Sequence, residues 1–229
     1  ACLPFVSHKI SMGIPTFVKT IEEITSSYPG VDDAERLRNY LKDFYAQGGT
    51  YVLLAGDETI LPIRHAYHID VPSPVSIDQQ LLCDLYFADL TGNWDVDGDG
   101  AYGERTSDQA DLTPELRLGR LPVNSSHEID SYTRKVIAYE TNPGRGDFSY
   151  LNRALFFSSD EMRDYSGGGQ HALIAKSYPS SFEIDTVNCV EASYGADPAP
   201  TNVIGAAVND TLARGYGIVN VIAHGRYDG

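Results

Sequence analysis

Residues 32–57 read DDAERLRNYLKDFYAQGGTYVLLAGD, in which a helix pattern is followed at once by a strand pattern. Apolar residues recur at helical spacing over 32–47, after an aspartate that can cap the first turn and before the glycine pair 48–49. The continuous apolar run over 50–57 is typical of a strand that is buried on both faces. This stretch therefore predicts a helix that leads into a strand of a parallel sheet.

The same alternation continues along the chain. Further strands are predicted at 13–18, 115–123, 154–160, 182–190 and 217–225. Further helices are predicted at 125–140, 170–178 and 201–215. Ser125 and Glu128 fit a capping box for the first of these helices. The pattern favours an α/β fold with a mostly parallel sheet, in which functional groups collect at the carboxyl ends of strands. Asp57, Asp160 and His224 lie at such predicted ends.

The charge balance excludes one large class of partner. The chain carries 32 acidic and 17 basic residues, so its net charge of −15 repels nucleic acid and anionic membrane surfaces. No apolar run is long enough to span a bilayer. The three cysteines, Cys2, Cys83 and Cys189, are too few and too scattered for a disulfide scaffold or a zinc site. We therefore expect a protein that binds neither nucleic acid nor the membrane interior.

An acidic loop in the middle of the chain predicts a calcium site. Asp95, Asp97 and Asp99 alternate along the loop and Gly100 follows them, which is the spacing that wraps carboxylates around a hard cation. Position twelve of an EF-hand loop would be Thr106, which cannot supply the usual carboxylate. The candidates for the last ligand are Glu104, Asp108 and Asp111, of which we take Glu104. The alternative is a solvated acidic turn.

His224 and Gly225 end the last predicted strand and suggest catalysis. A histidine at a strand end can act as a base, and a glycine directly after it frees a backbone N–H to bind a developing oxyanion. A histidine base needs a nucleophile within hydrogen-bond reach, and none of the cysteines stands at a neighbouring strand end. We therefore expect the nucleophile C-terminal to this sequence. The alternative is an ordinary hydrogen-bonded loop histidine.

Several segments together resemble the gingipain-like cysteine peptidases of peptidase family C25. The resemblance is carried by DDAERLRNYLKDFYAQGGTYVLLAGDETILPIR, DLYFADLTGNWDVDGDGAYGE, LRLGRLPVNSSHEID and VNVIAHG, in this order. It implies a three-layer α/β/α caspase-like fold with two sub-lobes. We expect the first sub-lobe at 1–145, with a calcium-loop insertion at about 64–112. The start of the second, truncated sub-lobe is expected at 146–229 and carries the histidine.

The resemblance also implies roles for individual residues. His224 matches the catalytic histidine of the family, and Gly225 matches the glycine whose N–H contributes to the oxyanion hole. The cysteine nucleophile of such enzymes follows the next strand, so the fragment alone is expected to be inactive. Asn124 stands where gingipains have the acidic partner of the histidine. Arg134 or Lys135 stands where arginine-specific members carry an acidic residue, so we take Arg134 as substrate-binding and expect no arginine specificity.

The predicted function is that of a secreted or cell-surface cysteine endopeptidase with structural Ca²⁺. Its partners would be protein or peptide substrates and the remainder of the peptidase domain. Two alternatives remain open at this stage. One is a sortase of type IX secretion, which uses an amine as the acceptor instead of water. The other is a non-catalytic, calcium-stabilised surface domain.

Overall fold

The computed structural model describes residues 1–67, 81–158, 167–187 and 205–222. The helices within these ranges are α1 (Leu3–Ser11), α2 (Ile21–Ser27), α3 (Asp33–Ala46), α4 (Ser126–Thr141), α5 (Gly167–Ala175) and α6 (Gly205–Leu212). The strands are β1 (Tyr51–Ala55), β2 (Arg64–Ala66), β3 (Leu81–Cys83), β4 (Arg117–Leu121), β5 (Arg153–Ser158), β6 (Glu183–Val187) and β7 (Ile218–Ile222). None of the helices in these ranges has the length and apolar content needed to cross a membrane.

The chain divides into two compact units, Ala1–Ile137 and Ala138–Gly229, and the division falls inside α4. Each unit contains its own parallel strands, as the alternating pattern predicts. The boundary after residue 145, and with it the assignment of two sub-lobes, stays a prediction.

In the first unit, α3 leads into β1, as predicted for residues 32–57. The helix is capped at its N-terminus by Asp32, whose carboxylate accepts the Glu35 N–H at 2.8 Å, and it is followed by Gly48 with a φ of +91°. A capped start and a left-handed glycine after the last turn are the two signals that the sequence displays. The helix then buries Leu37 and Leu41 in the core of this unit.

Strand β1 pairs in parallel with β4, and among the described residues only one face of β1 is covered. Leu54 belongs to the same buried cluster as the α3 leucines. On the opposite face, Tyr51 and Leu53 are 65% and 39% exposed. The strand itself is confirmed, but it is not buried on both faces among the described residues. An uninterrupted apolar run does not distinguish these two cases, because it places apolar side chains on both faces whether or not a second layer covers them.

A compact insertion lies between β1 and β4. Its strands β2 and β3 pair antiparallel, and a 3₁₀ turn at Asp84–Phe87 follows them. The buried ring of Tyr86 is flanked by the guanidinium groups of Arg38 and Arg64, 4.9 and 4.5 Å from the ring centroid. Arg38 also donates to the backbone carbonyls of Tyr86, Asp89 and Gly92 at 2.6–2.8 Å. These contacts fix the insertion to α3.

In the second unit, β5 lies between β6 and β7 and is parallel to both. The central strand is the most buried, with Ala154, Leu155 and Phe156 fully enclosed. These strands match the predicted segments. By contrast, the strand predicted at 13–18 is wrong, because the chain there pairs with no other strand among the described residues. Gly13 with a φ of +82° and Pro15, which lacks an N–H, both oppose strand pairing.

Candidate functional site

The carboxyl ends of β1 and β4 meet at one edge of the first unit. Because the strands are parallel, the chains leave the sheet on the same side, and two backbone hydrogen bonds continue beyond the strands. The Gly56 N–H donates to the Leu121 carbonyl and the Asp57 N–H donates to the Val123 carbonyl, each at 3.0 Å. Asp57 therefore lies beside the peptide that joins Val123 to Asn124. This edge brings together two polar residues that are 67 positions apart in the sequence.

The Asp57 carboxylate is held by donors from its own loop. Its Oδ1 accepts the Thr59 hydroxyl at 2.5 Å and the Thr59 N–H at 2.9 Å. The Thr59 hydroxyl is the main cause that lowers the pKa of Asp57, and the polar side chain of Asn124 lowers it further. Asp57 is therefore ionised at neutral pH, and the neighbouring Asn124 is exposed.

The backbone at Asn124 is fixed by the predicted capping box. The Glu128 carboxylate accepts the N–H groups of Asn124 and Ser125 at 3.0 and 3.2 Å, and the Glu128 N–H reaches the Ser125 hydroxyl at 3.4 Å. The pKa of Glu128 is lowered, chiefly by the hydrogen bond from the Asn124 backbone. The start of α4 is thus rigid, and the side chain of Asn124 projects from an anchored backbone.

Behind this edge, Arg120 ties the loop after β1 to the insertion. Its guanidinium forms a two-pronged ion pair with the Asp84 carboxylate, with both N···O distances at 2.8 Å. It also donates to the carbonyls of Gly56 and Pro62 at 2.9 Å. One side chain, which is 10% exposed, therefore holds both ends of the loop that carries Asp57.

The structure brings the aspartates of the acidic loop together. Asp95, Asp97 and Asp99 each offer a carboxylate oxygen, and these oxygens all lie within 4.8 Å of one another. Gly98 and Gly100 have φ values of +74° and +84°, which allow the sharp turns that point alternate side chains inward. This donor set suits a hard cation such as Ca²⁺, which prefers carboxylate and carbonyl oxygens.

The three candidates for a further ligand have other partners in the structure. Asp108 accepts the N–H groups of Val96, Gly103 and Glu104 at 2.7–2.8 Å and closes the loop at its base. Glu104 accepts the Ser107 hydroxyl at 2.9 Å. Asp111 accepts the N–H of a following threonine at 2.8 Å. The cluster of three aspartates includes none of them, so Glu104 as a ligand stays a prediction.

The remaining predicted site residues are placed as follows. Arg134 lies on α4 with an exposed guanidinium that reaches the Ser131 hydroxyl at 3.3 Å. His224 and Gly225 lie outside the described residues. Sequence reasoning placed Asp57 at a strand end but assigned it no role, and it overlooked Arg120. The sequence signal for Arg120 was weak, because β4 also carries the exposed Arg117 and a charged strand residue requires a partner only when it is buried.

Comparisons with known proteins agree with this architecture. A family model described as "Peptidase family C25" matches residues 1–229. Among solved structures, the crystal structure of the Arg-specific cysteine proteinase gingipain R is similar, with a TM-score of 0.60 and 20% sequence identity. The match covers 98% of this chain and 44% of gingipain R, so the chain spans less than half the length of that structure. The likeness confirms the predicted caspase-like α/β fold. A search of curated proteins gives no match.

Proposed function

Because this chain belongs to peptidase family C25, we propose that it forms part of a cysteine endopeptidase that hydrolyses peptide bonds by a Cys–His mechanism. The observation that carries this proposal is the family match, which runs over the whole chain. Protein or peptide substrates follow from the same family membership. The fold, with polar residues at the carboxyl ends of its parallel strands, provides the usual location for such a site.

In the proposed mechanism, a cysteine thiolate attacks the peptide carbonyl and the carbonyl oxygen becomes an oxyanion. The N–H of Gly225 stabilises the oxyanion, and His224 gives a proton to the leaving amine. Water, activated by the same histidine, then cleaves the thioester and releases the carboxylic acid. The roles of both residues rest on the sequence pattern and on the family resemblance, which also places the cysteine C-terminal to His224.

Asn124 is the proposed orienting partner of His224. An amide oxygen can accept the imidazole N–H and hold the ring, although it stabilises the imidazolium less than a carboxylate does. Support comes from the exposure of Asn124 and from the hydrogen bonds that anchor its backbone to Glu128. Arg134 is the proposed substrate-binding residue, and its positive charge disfavours basic substrate side chains.

We further propose that the loop at Asp95, Asp97 and Asp99 binds Ca²⁺ and stabilises the insertion. The mutual distances of the three carboxylates support this proposal, as does the chemistry of the donor set. Calcium is plentiful outside cells, so the site is consistent with the proposed secreted or cell-surface location. We expect a chelator to lower the melting temperature of the wild type but not that of Asp97→Asn, whereas Asp43→Asn, outside the loop, behaves like the wild type. An identical melting curve with and without chelator would refute calcium binding.

The peptidase proposal is tested on the complete protein with a thiol-directed peptidyl probe. We expect labelling in the wild type and its loss in His224→Ala, because the histidine activates the thiol. The control is His65→Ala, which removes an exposed histidine of β2 and should label normally. Failure of the wild type to label, or equal labelling of His224→Ala, contradicts the mechanism. A product formed with an added amine instead of water would indicate the transpeptidase variant.

A further inference from the structure

We infer that the exposed turn formed by Gly144, Arg145, Gly146 and Asp147 is a docking site for a cell-surface receptor. The receptor would hold the Arg145 guanidinium on a carboxylate and the Asp147 carboxylate on a bound divalent cation. This inference goes beyond peptide hydrolysis. Its biological use rests on the proposed secreted or cell-surface location, whereas the binding itself can be tested on the purified protein.

The turn is closed by its own backbone and lies within the second unit, where it joins α4 to β5. The Asp147 N–H donates to the Gly144 carbonyl at 3.1 Å, and the Arg145 N–H donates to the Asn142 carbonyl at 3.2 Å. The two central residues, Arg145 and Gly146, have φ values of +55° and +95°. Positive φ at both central positions is typical of a type I′ turn. The tripeptide Arg-Gly-Asp therefore has a defined backbone shape.

The backbone of this turn is unusual and open to approach. Positive φ is uncommon for a residue other than glycine, and such residues collect at functional sites. Among the described residues that are not glycine, only Leu112 and Arg145 have it. A Cβ placed on Gly146 would meet no atom within 4 Å, so a partner can approach the backbone there.

The charged side chains of the turn are available for a partner. Arg145 and Asp147 are exposed, and within the described part of the chain no hydrogen bond or ion pair engages the Arg145 guanidinium. The Asp147 Oδ1 accepts the Ser149 N–H at 2.9 Å, which leaves further lone pairs of the carboxylate for a metal ion. The polar side chain of Ser149, followed by its N–H, lowers the pKa of Asp147, so this carboxylate is ionised at neutral pH.

The chemistry of the turn selects the kind of partner. A guanidinium pairs with a carboxylate through two parallel N–H donors, and a carboxylate oxygen is a ligand that divalent cations prefer. A receptor that carries an acidic pocket beside a cation site matches both groups. Phe148, which is 54% exposed, follows directly and offers apolar contact area. Because the turn is closed before it binds, little conformational entropy is lost when a receptor holds it.

Binding is tested with the immobilised ectodomain of an integrin that binds Arg-Gly-Asp peptides, in the presence of Mn²⁺. The analyte is the complete protein with His224→Ala, so that the result does not depend on peptidase activity. We expect saturable binding that a short Arg-Gly-Asp peptide displaces and that an Arg-Gly-Glu peptide leaves intact. EDTA should abolish binding in this protein and after the further change Asp97→Asn alike, because the cation belongs to the receptor and not to the acidic loop. Absence of binding in Mn²⁺ overturns the inference.

Two conservative variants show whether the turn is the part that binds. Asp147→Glu keeps the charge but moves the carboxylate by one methylene group, and we expect it to raise the Kd at least about tenfold. The matched control Asp210→Glu makes the same change at an exposed position of α6 and should keep the Kd within about twofold. Melting curves verify that both variants are folded. Equal Kd values for Asp147→Glu and the parent protein overturn the inference.

A glycine variant tests the shape of the turn. In Gly146→Ala the new methyl group has space, but an L-residue is strained at a φ of +95°, so we expect the Kd to rise at least about tenfold. Gly119→Ala is the control, because a Cβ there also meets no atom within 4 Å and φ is not positive. A Kd that Gly146→Ala leaves unchanged contradicts recognition of the turn. Loss of thiol-probe labelling, by contrast, bears only on the proposed peptidase function.

Discussion

Replacing Arg120 by alanine should destabilise the first unit strongly, because this one side chain joins three parts of the chain. The guanidinium pairs with Asp84 of the insertion and donates to the carbonyls of Gly56 and Pro62 in the loop after β1. A weaker contact of 3.5 Å reaches the carbonyl of Leu61. Alanine removes all of these hydrogen bonds and leaves the Asp84 carboxylate without its counter-charge.

The magnitude follows from the burial of the pair. The side chains of Arg120 and Asp84 are 10% and 27% exposed. Removing one partner of a buried ion pair costs about 3–5 kcal/mol of unfolding free energy. Because Asp84 can regain some water, we expect the lower end, about 3 kcal/mol. Arg120→Lys keeps the charge but has a single nitrogen, which cannot reach the carboxylate and the carbonyls together, so we expect it to recover about half of the loss.

The assay is urea unfolding followed by tryptophan fluorescence. The chain has one tryptophan, Trp94, which is 3% exposed and lies in the first unit, so its fluorescence reports on the unit that contains Arg120. A loss of about 3 kcal/mol corresponds to a shift of about 1–2 M in the urea midpoint. Arg117→Ala is the control, because Arg117 is on the same strand but, within the described part of the chain, its side chain donates only to the exposed Tyr51 hydroxyl, and its loss should cost less than about 1 kcal/mol. Equal effects of Arg120→Ala and Arg117→Ala would refute the reasoning.

Three further outcomes are expected. Saturating Ca²⁺ at about 100 times its Kd should add about 2.7 kcal/mol of stability to the wild type and none to Asp97→Asn, as measured by melting curves. Asp89→Asn should cost about 2–3 kcal/mol by urea unfolding, because the buried carboxylate accepts several N–H donors, including the indole of Trp94 at 3.0 Å, and an NH₂ group cannot replace it. Burial raises the pKa of Asp32, but hydrogen bonds from Arg64 and the α3 backbone outweigh it and the pKa is lowered in the folded state. The ionised carboxylate therefore adds to the free energy of unfolding above the unfolded pKa, and this contribution is lost as the pH falls through the folded pKa. We expect the free energy of unfolding of Asp32→Asn, measured by urea unfolding, to depend less on pH in the acid range than that of the wild type.

The sequence predicts those elements in which local signals agree with one another. The helix at 32–47 has a cap, a regular apolar face and a terminal glycine pair, and the structure matches it closely as α3. The strand predicted at 13–18 had only a short apolar run, and Gly13 and Pro15 oppose pairing there. Agreement between several independent signals, rather than apolar character alone, distinguishes the two cases.

The candidate site is less accessible to sequence reasoning, because its contacts join distant positions. Arg120 and Asp84 are 36 positions apart in the sequence. No local sequence pattern indicates which carboxylate will pair with the guanidinium. The contacts of the acidic loop, too, could be predicted only in part from the sequence. Spacing alone predicted its three aspartates correctly as neighbours, but it could not reveal that Asp108 is engaged by three backbone N–H groups. Those bonds depend on how the loop closes, which the spacing does not determine.

An uncharged side chain at position 124 is consistent with the negative charges of the two neighbouring carboxylates. Asp57 and Glu128 are both ionised at this edge, and the charge of Asp57 opposes the hydrogen bonds that lower the pKa of Glu128. A carboxylate at 124 would add a third negative charge to a pair that already repels. An uncharged amide at 124 avoids this repulsion.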